Sequence, residues 1–362
     1  MDLPLAGVRV LELGGGIPAA FATRMLAGYG ADVVRVDGAE TERLNDDAAT
    51  YLLAGKRRVR AAGEHLRQLA LACDIVVEDG PPGALATQGL DPQDLRRSRP
   101  ELVVVSLTPF GQTGPYAAFQ ATNAVSFALG GIMSLTGDLD HAPLISGGGQ
   151  ALYLGGLNGF AAAVTAYFGA LVHGEGDWID VSLQEAAAAM VELYVPGTAY
   201  GSPVQLRAGN HVRATWGLYP CVDGWGGVFC LERQIPSLFR CLADPELDEA
   251  RFRQPLLRAE PDTDAELEAK LYGFFSGVTK ADLLELGPRY KVPFGVVLTP
   301  NDLLDAPGLA HRAFFDEVHR PDGTAAIVPG RPFPGYGWAD LSELHEPGAD
   351  TAAVDADWGT AA

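Results

Sequence analysis

The sequence predicts an α/β protein with a large Rossmann-like domain, an open parallel sheet covered by helices, and a smaller α+β domain. Three observations carry this expectation. Short apolar runs rich in β-branched residues alternate with helix-like stretches through the first third of the chain. The 362 residues exceed the roughly 150 of an ordinary domain. The 44 glycines and 25 prolines mark many turns between elements.

Val8 to Leu13 reads as a buried strand, Gly14-Gly15-Gly16 as a turn, Ala19 to Tyr29 as a helix and Asp32 to Val36 as a second strand, which makes a βαβ unit. A helix over Glu64 to Cys73, a strand over Asp74 to Val77, a turn at Gly80-Pro81-Pro82-Gly83 and a strand over Leu102 to Leu107 continue the alternation. Ala142 to Val172 carries no Asp, Glu, Lys or Arg, and it is longer than the ~20 residues that span a bilayer. Its glycines and alanines, with Ser146, Gln150, Asn158 and Thr165, point instead to a glycine loop feeding a buried helix. Trp178 to Leu183 then reads as a strand and Gln184 to Tyr194 as a helix, before Pro196, Gly197, Gly201 and Pro203 break the pattern.

These breaks set the expected domains. Residues 1–195 form the first part of the large domain. Residues 205–290 form the small domain, with strands at Gly217 to Cys221 and Val228 to Leu231 and helices at Gln234 to Ala243 and Asp264 to Phe275. Residues 291–350 return to the large domain with short strands around Val292 to Leu298 and Ala325 to Val328, and 351–362 read as a disordered tail. No repeat of fixed period is present, so a solenoid is not expected.

A formal charge of −20 repels nucleic acid and anionic membranes, so neither is an expected partner. Cys73, Cys221, Cys230 and Cys241 lack the spacing of a zinc site and read as reduced core thiols, with no metal expected. A start without basic residues that leads directly into a strand gives the expectation of a cytoplasmic protein.

Three local signals bear on chemistry. Gly14-x-Gly16-x-x-Ala19 between strand and helix, with Asp37 after the next strand, has the layout of a dinucleotide or S-adenosylmethionine site. Pro18 removes an amide donor there, and a merely tight turn is the alternative. Lys56, Arg57, Arg58 and Arg60 concentrate positive charge in an acidic chain, and with Arg35 near the carboxyl edge of the sheet they suggest an anionic ligand. A solvated charged turn is the alternative. The uncharged loop from Ser106 to Pro115 either lines a ligand cleft or is structural.

Taken in order, Pro4 to Leu13, Gly30 to Val36, Gly55-Lys56-Arg57, Val77-Glu78-Asp79, Phe110 to Pro115, Met133 to Gly137, Gly174-Glu175-Gly176 leading to Asp180 to Ala186, Arg207 to His211, Asp223-Gly224 and Val292 to Val297 resemble the class III CoA-transferases. That family includes formyl-CoA transferase, carnitine CoA-transferase and the α-methylacyl-CoA racemases. The resemblance implies an interlocked dimer, with coenzyme A as substrate lying across the carboxyl edge of the sheet. It implies Arg35, Lys56 and Arg57 near the CoA phosphates, Glu78 and Asp79 beside the cofactor, and Phe110, Gly111 and Gln112 along its pantetheine arm.

The resemblance also implies a departure in the chemistry. The family's transferases attack the thioester with an Asp carboxylate. Setting Gly156 and Gly174 on the two matching family glycines puts Leu152 at that position. The racemases pair the same Asp with a His about thirty positions earlier, where this chain reads Ala121-Thr122-Asn123-Ala124-Val125. Gly15 and Ile17 stand where transferases carry polar groups near the acyl chain, so an apolar pocket of Gly15, Ile17, Thr122, Asn123 and Leu152 is expected. Gln150, Tyr153 and Glu232 are the neighbouring groups available to take over, and none is a ready nucleophile. The leading expectation is an acyl-CoA-binding component of a CoA-transferase, either a homodimer with altered chemistry or a heteromer with an Asp-bearing paralogous subunit. An acyl-CoA racemase or isomerase using other residues, and a non-catalytic acyl-CoA-binding protein, are the alternatives.

Overall fold

The structure is a computed structural model and describes residues 3–38, 44–192, 194–201 and 207–360. It divides into two compact units, one comprising Met1–Met133, Ile145–Val204 and Pro307–Ala362, the other Ser134–Leu144 and Gln205–Ala306.

The first unit is built on β1 (Arg9–Leu13), β2 (Asp32–Val36), β3 (Arg57–Val59), β4 (Ile75–Glu78), β5 (Val103–Thr108) and β6 (Trp178–Ser182). All six run parallel in the order β3-β2-β1-β4-β5-β6. The chain therefore moves outward from β1 in one direction and then resumes at β4 in the other. Alternate residues of each strand serve opposite faces, as the two-residue period of a pleated strand requires. Val10, Val33, Ile75, Val77, Val103 and Val105 enter one core layer, and Leu11, Val34, Val76 and Val104 the other.

The connecting helices are α1 (Ile17–Gly28), α2 (Asp46–Leu53), α3 (Gly63–Ala72), α4 (Ala84–Thr87), α5 (Pro92–Ser98), α6 (Asn123–Leu129), α7 (Gln150–His173), α8 (Leu183–Ala188) and α9 (Tyr194–Ala199). α1 and α7 cover the first face. They approach closely because Gly156 leaves room on α7, where a Cβ would come within 2.7 Å of the Pro18 carbonyl oxygen. Among the described residues α7 is the one helix long and apolar enough to cross a membrane by length and composition. Its small residues, including Ala151, Gly155, Gly159 and Ala163, are buried within the unit, whereas Phe168, Leu171 and Val172 are exposed. The expected burial of this helix thus holds for one face only. The helix expected through Tyr194 ends at Ala188 and is followed by a 3-10 turn over Ala189–Val191, and the expected break at Pro203 lies outside the described residues.

The second unit carries an antiparallel sheet of β7 (His211–Arg213), β8 (Trp216–Cys221), β9 (Gly224–Phe229) and β10 (Phe294–Val296), in the order β10-β9-β8-β7. It also holds α10 (Ile235–Leu242), α11 (Ala250–Arg253), α12 (Pro255–Arg258), α13 (Pro261–Phe275), α14 (Lys280–Tyr290) and α15 (Pro300–Leu304). The expected boundaries shift here for two reasons. β10 pairs with β9 and Phe294 packs on Phe274 and Phe275, so this unit runs past 290 to Ala306. Residues 134–144 also join it, because Arg207 donates to the carbonyls of Asp138, Leu139 and His141.

The chain re-enters the first unit through α16 (Pro307–His311), the hairpin of β11 (Phe315–His319) and β12 (Ala325–Pro329), and α17 (Thr351–Trp358). The last of these corrects the expected disordered tail up to residue 360, and 361–362 lie outside the described residues. Val354 and Trp358 are buried against the second core layer, the Trp358 indole donates to Asp32 at 2.8 Å, and the guanidiniums of Arg9 and Arg57 lie over its ring. Two large apolar contacts and a satisfied indole outweigh the ordering of a short segment.

One polar cluster ties the sheet to α1. The fully buried Glu12 on β1 receives Arg35 from β2, Lys56 Nζ at 2.7 Å and the Thr23 hydroxyl of α1 at 2.6 Å. Burial opposes ionisation of Glu12, but Lys56 and Arg35 outweigh it and hold the carboxyl at about 2. Glu12→Gln leaves Lys56 buried without its counter-charge and Arg35 with the more distant Asp37. We expect it to cost about 3–5 kcal/mol, read in urea unfolding as a lower midpoint at unchanged slope.

Candidate active site

The point at which strand order reverses, between β1 and β4, opens a crevice at the carboxyl edge of a parallel sheet, the usual ligand position in such folds. The turn after β1 is shaped by a residue from β4's end. The Asp79 carboxylate accepts the N–H groups of Gly15 at 3.1 Å, Gly16 at 3.3 Å and Ala19 at 3.4 Å. A Cβ at position 14 would sit 2.6 Å from an Asp79 oxygen, which explains the glycine there. The dinucleotide layout is therefore corrected: the helix N-terminus that would attract a phosphate already holds an internal carboxylate.

Two openings lie along the crevice. One, of about 370 Å³, is lined by Gly14, Gly15, Asp37, Glu78, Asp79 and Gln88. The other, of about 760 Å³, shares Asp37, Gly38 and Ala61 with it and adds Arg58, Arg60 and His65. Glu78 accepts the Gly80 N–H at 2.8 Å. Burial pushes its carboxyl up to about 7 against the hydrogen bonds from Ser106 and Gly80, with Asp79 and Asp180 adding to the rise.

The basic residues expected at the phosphates are placed differently. Arg35 and Lys56 are fully buried on Glu12 and cannot touch a ligand. Arg57 reaches back to Asp32 at the amino end of β2 and to Asp357, away from the carboxyl edge. The sequence signal was real, but its counter-ions are the chain's own carboxylates. Arg58 also pairs with Asp37 at 2.6 Å, while Arg60 is exposed at the rim of the wider opening.

The loop of Phe110, Gly111 and Gln112 stays at the carboxyl edge. The Gln112 N–H donates to Asp180 at 2.7 Å and its side-chain oxygen accepts the Gly83 N–H at 3.3 Å, joining the loops after β5 and β4. Phe110 packs edge-on against Tyr116.

Ile17, Thr122, Asn123 and Leu152 meet around a third cavity, of about 200 Å³, and Gly15 falls on the neighbouring one. Gly16, Pro18, Asp79, Leu107, Pro109, Ala121 and Leu183 complete the wall; for Leu107, Pro109 and Leu183 the sequence offered only their position at strand ends as a signal. Leu152 lies in the first turn of α7. Asn123 fixes that turn by accepting the Ala151 N–H at 2.9 Å and donating to the Gly148 carbonyl at 3.2 Å. The three neighbouring groups do not supply a nucleophile. The Gln150 amide faces the Gly147 carbonyl, and Tyr153 packs on Phe21, where burial raises its phenol above the ordinary value. Glu232 belongs to the second unit and pairs with Arg258. No group of three or more His, Cys, Asp or Glu side chains among the described residues is placed to hold a metal.

The family model for CoA-transferase family III matches residues 5–340. The chain belongs to CoA-transferase family III. It is 33% identical to the succinate–glutarate CoA-transferase of Agrobacterium fabrum over 90% of this chain and 88% of that protein. It is 30% identical to the succinyl-CoA–D-citramalate CoA-transferase of Chloroflexus aurantiacus over 88% and 84%. Subunit BbsE of the succinyl-CoA:(R)-benzylsuccinate CoA-transferase of Thauera aromatica is 27% identical over 90% and 86%. A CaiB/BaiF family crystal structure from Brucella suis superposes with a TM-score of 0.86 at 25% identity, covering 99% of this chain and 100% of that one. The family resemblance and the α/β fold expected from the sequence both hold, and membership in the CoA-transferase family implies CoA thioesters as substrates.

The raised Glu78 carboxyl makes a testable sign. The native state binds this proton up to about pH 7 and the unfolded chain only to about 4.3, so Glu78 lowers stability as pH rises through that window. Glu78→Gln should match wild type near pH 4 and become more stable by up to about 3 kcal/mol at pH 8, measured by urea unfolding across pH.

Proposed function

We propose that this chain is the acyl-CoA-binding, supporting subunit of a hetero-oligomeric CoA-transferase whose partner chain carries the nucleophilic Asp. The observation that supports this most directly is Leu152 in the wall of the cavity at the head of α7, at the position the resemblance gives to the nucleophile. The carboxylate that does line this cavity, Asp79, is engaged with three backbone amides of the α1 turn. Its lone pairs are directed at donors and its charge is stabilised by them, which lowers its nucleophilicity.

In this reading the crevice between β1 and β4 takes the CoA nucleotide, with Arg60 and His65 at its rim, and the Phe110–Gln112 loop lies along the pantetheine arm. The chain binds and orients the thioester. In the partner subunit, a carboxylate oxygen attacks the thioester carbon and the C–S bond breaks, giving a mixed anhydride and CoA thiolate. The thiolate attacks the enzyme's carboxyl carbon and releases the donor acid. The acceptor acid then displaces the thiolate as its own mixed anhydride, whose acceptor carbonyl the thiolate attacks to give acceptor-CoA and the free carboxylate. The relative from Thauera aromatica is named as a subunit, and the exposed Phe168, Leu171 and Val172 of α7 give this chain an apolar face for association.

Native mass spectrometry of the protein purified from its host tests the reading. We expect a heteromer with a related chain bearing Asp at the position matching Leu152, whereas a homodimer alone would overturn it. Leu152→Asp in the isolated chain should confer acyl-CoA to carboxylate exchange, followed by chromatography of the CoA esters, on a chain that lacks it.

A further inference from the structure

The cavity that ends at Leu152 has a largely aliphatic wall whose only charged lining residue is the Asp79 carboxylate. Ile17, Leu107, Pro109, Leu152 and Leu183 give it an aliphatic wall, and no lysine, arginine or histidine is among its lining residues. Four helices begin at its wall, α1, α6, α7 and α8, the last two through Leu152 and Leu183. At the head of α1 the Gly15, Gly16 and Ala19 N–H groups are taken by Asp79 and Pro18 has none, and at the head of α7 the Ala151 N–H is taken by Asn123. One Asn123 amide N–H goes to the Gly148 carbonyl. Asp79, itself a carboxylate lining the cavity, repels a second one.

We infer that this cavity selects an uncharged aliphatic acyl group of short chain and rejects the acyl groups of dicarboxylic acids, an inference that rests on the CoA-thioester reading above. This sets the chain apart from the relatives whose names specify succinyl-CoA, glutarate or citramalate. An acyl group with a distal carboxylate would place that charge beside the Asp79 carboxylate, with no lysine, arginine or histidine in the wall to offset it. The cavity is small, about 200 Å³, against about 370 and 760 Å³ for the two openings of the crevice, which favours a short acyl chain. The polar head of the molecule is unaffected, since the nucleotide crevice is separately lined.

Butyryl-CoA and succinyl-CoA have four-carbon acyl groups and differ mainly in the distal carboxylate. Isothermal titration of the full chain, together with any subunit that co-purifies, is carried out with CoA, butyryl-CoA and succinyl-CoA. We expect butyryl-CoA to bind at least roughly tenfold more tightly than succinyl-CoA, the scale of one unsatisfied buried polar group, with CoA itself binding measurably. Equal binding of the two thioesters, or a preference for succinyl-CoA, overturns the inference and leaves the CoA reading intact. Failure of CoA itself to bind overturns that reading and the inference with it. Ile17→Arg supplies the missing cation and should shift the preference toward succinyl-CoA by roughly tenfold or more. Unchanged discrimination in a variant with wild-type CoA affinity would count against the inference.

Discussion

The buried carboxylate of Glu12 is the interaction on which the arrangement depends. An ionised group with no exposure to water persists only if its counter-charges arrive with fixed geometry. Here they come from β2 and from the residue preceding β3, and α1 adds the Thr23 hydroxyl as a donor. Lys56 also donates to the Ala20 carbonyl at 2.8 Å and the Thr23 hydroxyl at 2.7 Å, so each partner of Glu12 is itself held. The cluster fixes α1 against one half of the sheet. Displacing α1 would strand charges in the core, which makes its position nearly all-or-none.

Asp79 positions the other end of the same helix. Where Glu12 gathers cations, Asp79 gathers backbone amides, and together they set the direction in which α1 meets the carboxyl edge of the sheet. The consequence is chemical as well as structural. A strand–glycine–helix turn usually offers its amides to a phosphate. Here those amides are occupied from within the chain, and the cavity beyond the turn has a largely aliphatic wall with no cation in it. Asn123 does the same for α7, fixing the glycine loop and the helix start that carries Leu152.

The elements that were legible in the sequence are those whose signal is local. Asp32–Val36 was expected and found with the same ends, and the strands ending at Leu13 and near Glu78 and Thr108 were offset by one residue at most ends. Their apolar runs are buried on both faces, so every residue votes for the same state. The short β3 was masked by its charges, because Arg57 and Arg58 read as a solvated or ligand-binding turn until Asp32 and Asp37 are seen beside them. α17 was masked by length and by its acidic residues: only Val354 and Trp358 face the core. Of the candidate site, Ile17, Thr122, Asn123 and Leu152 line one cavity and Gly15 the neighbouring one.

The sequence alone determined the alternation of strands and helices, the family, and the leucine at the head of α7, because periodicity and motif spacing are properties of neighbouring residues. Only the tertiary structure decided what each charge does. Lys56 meets Glu12 across 44 residues of chain and Asp79 meets Gly15 across 64. No local pattern distinguishes a lysine awaiting a phosphate from one already satisfied by a buried carboxylate. Pairing over such separations is settled by which strands lie side by side, and that order exists only once the sheet has formed.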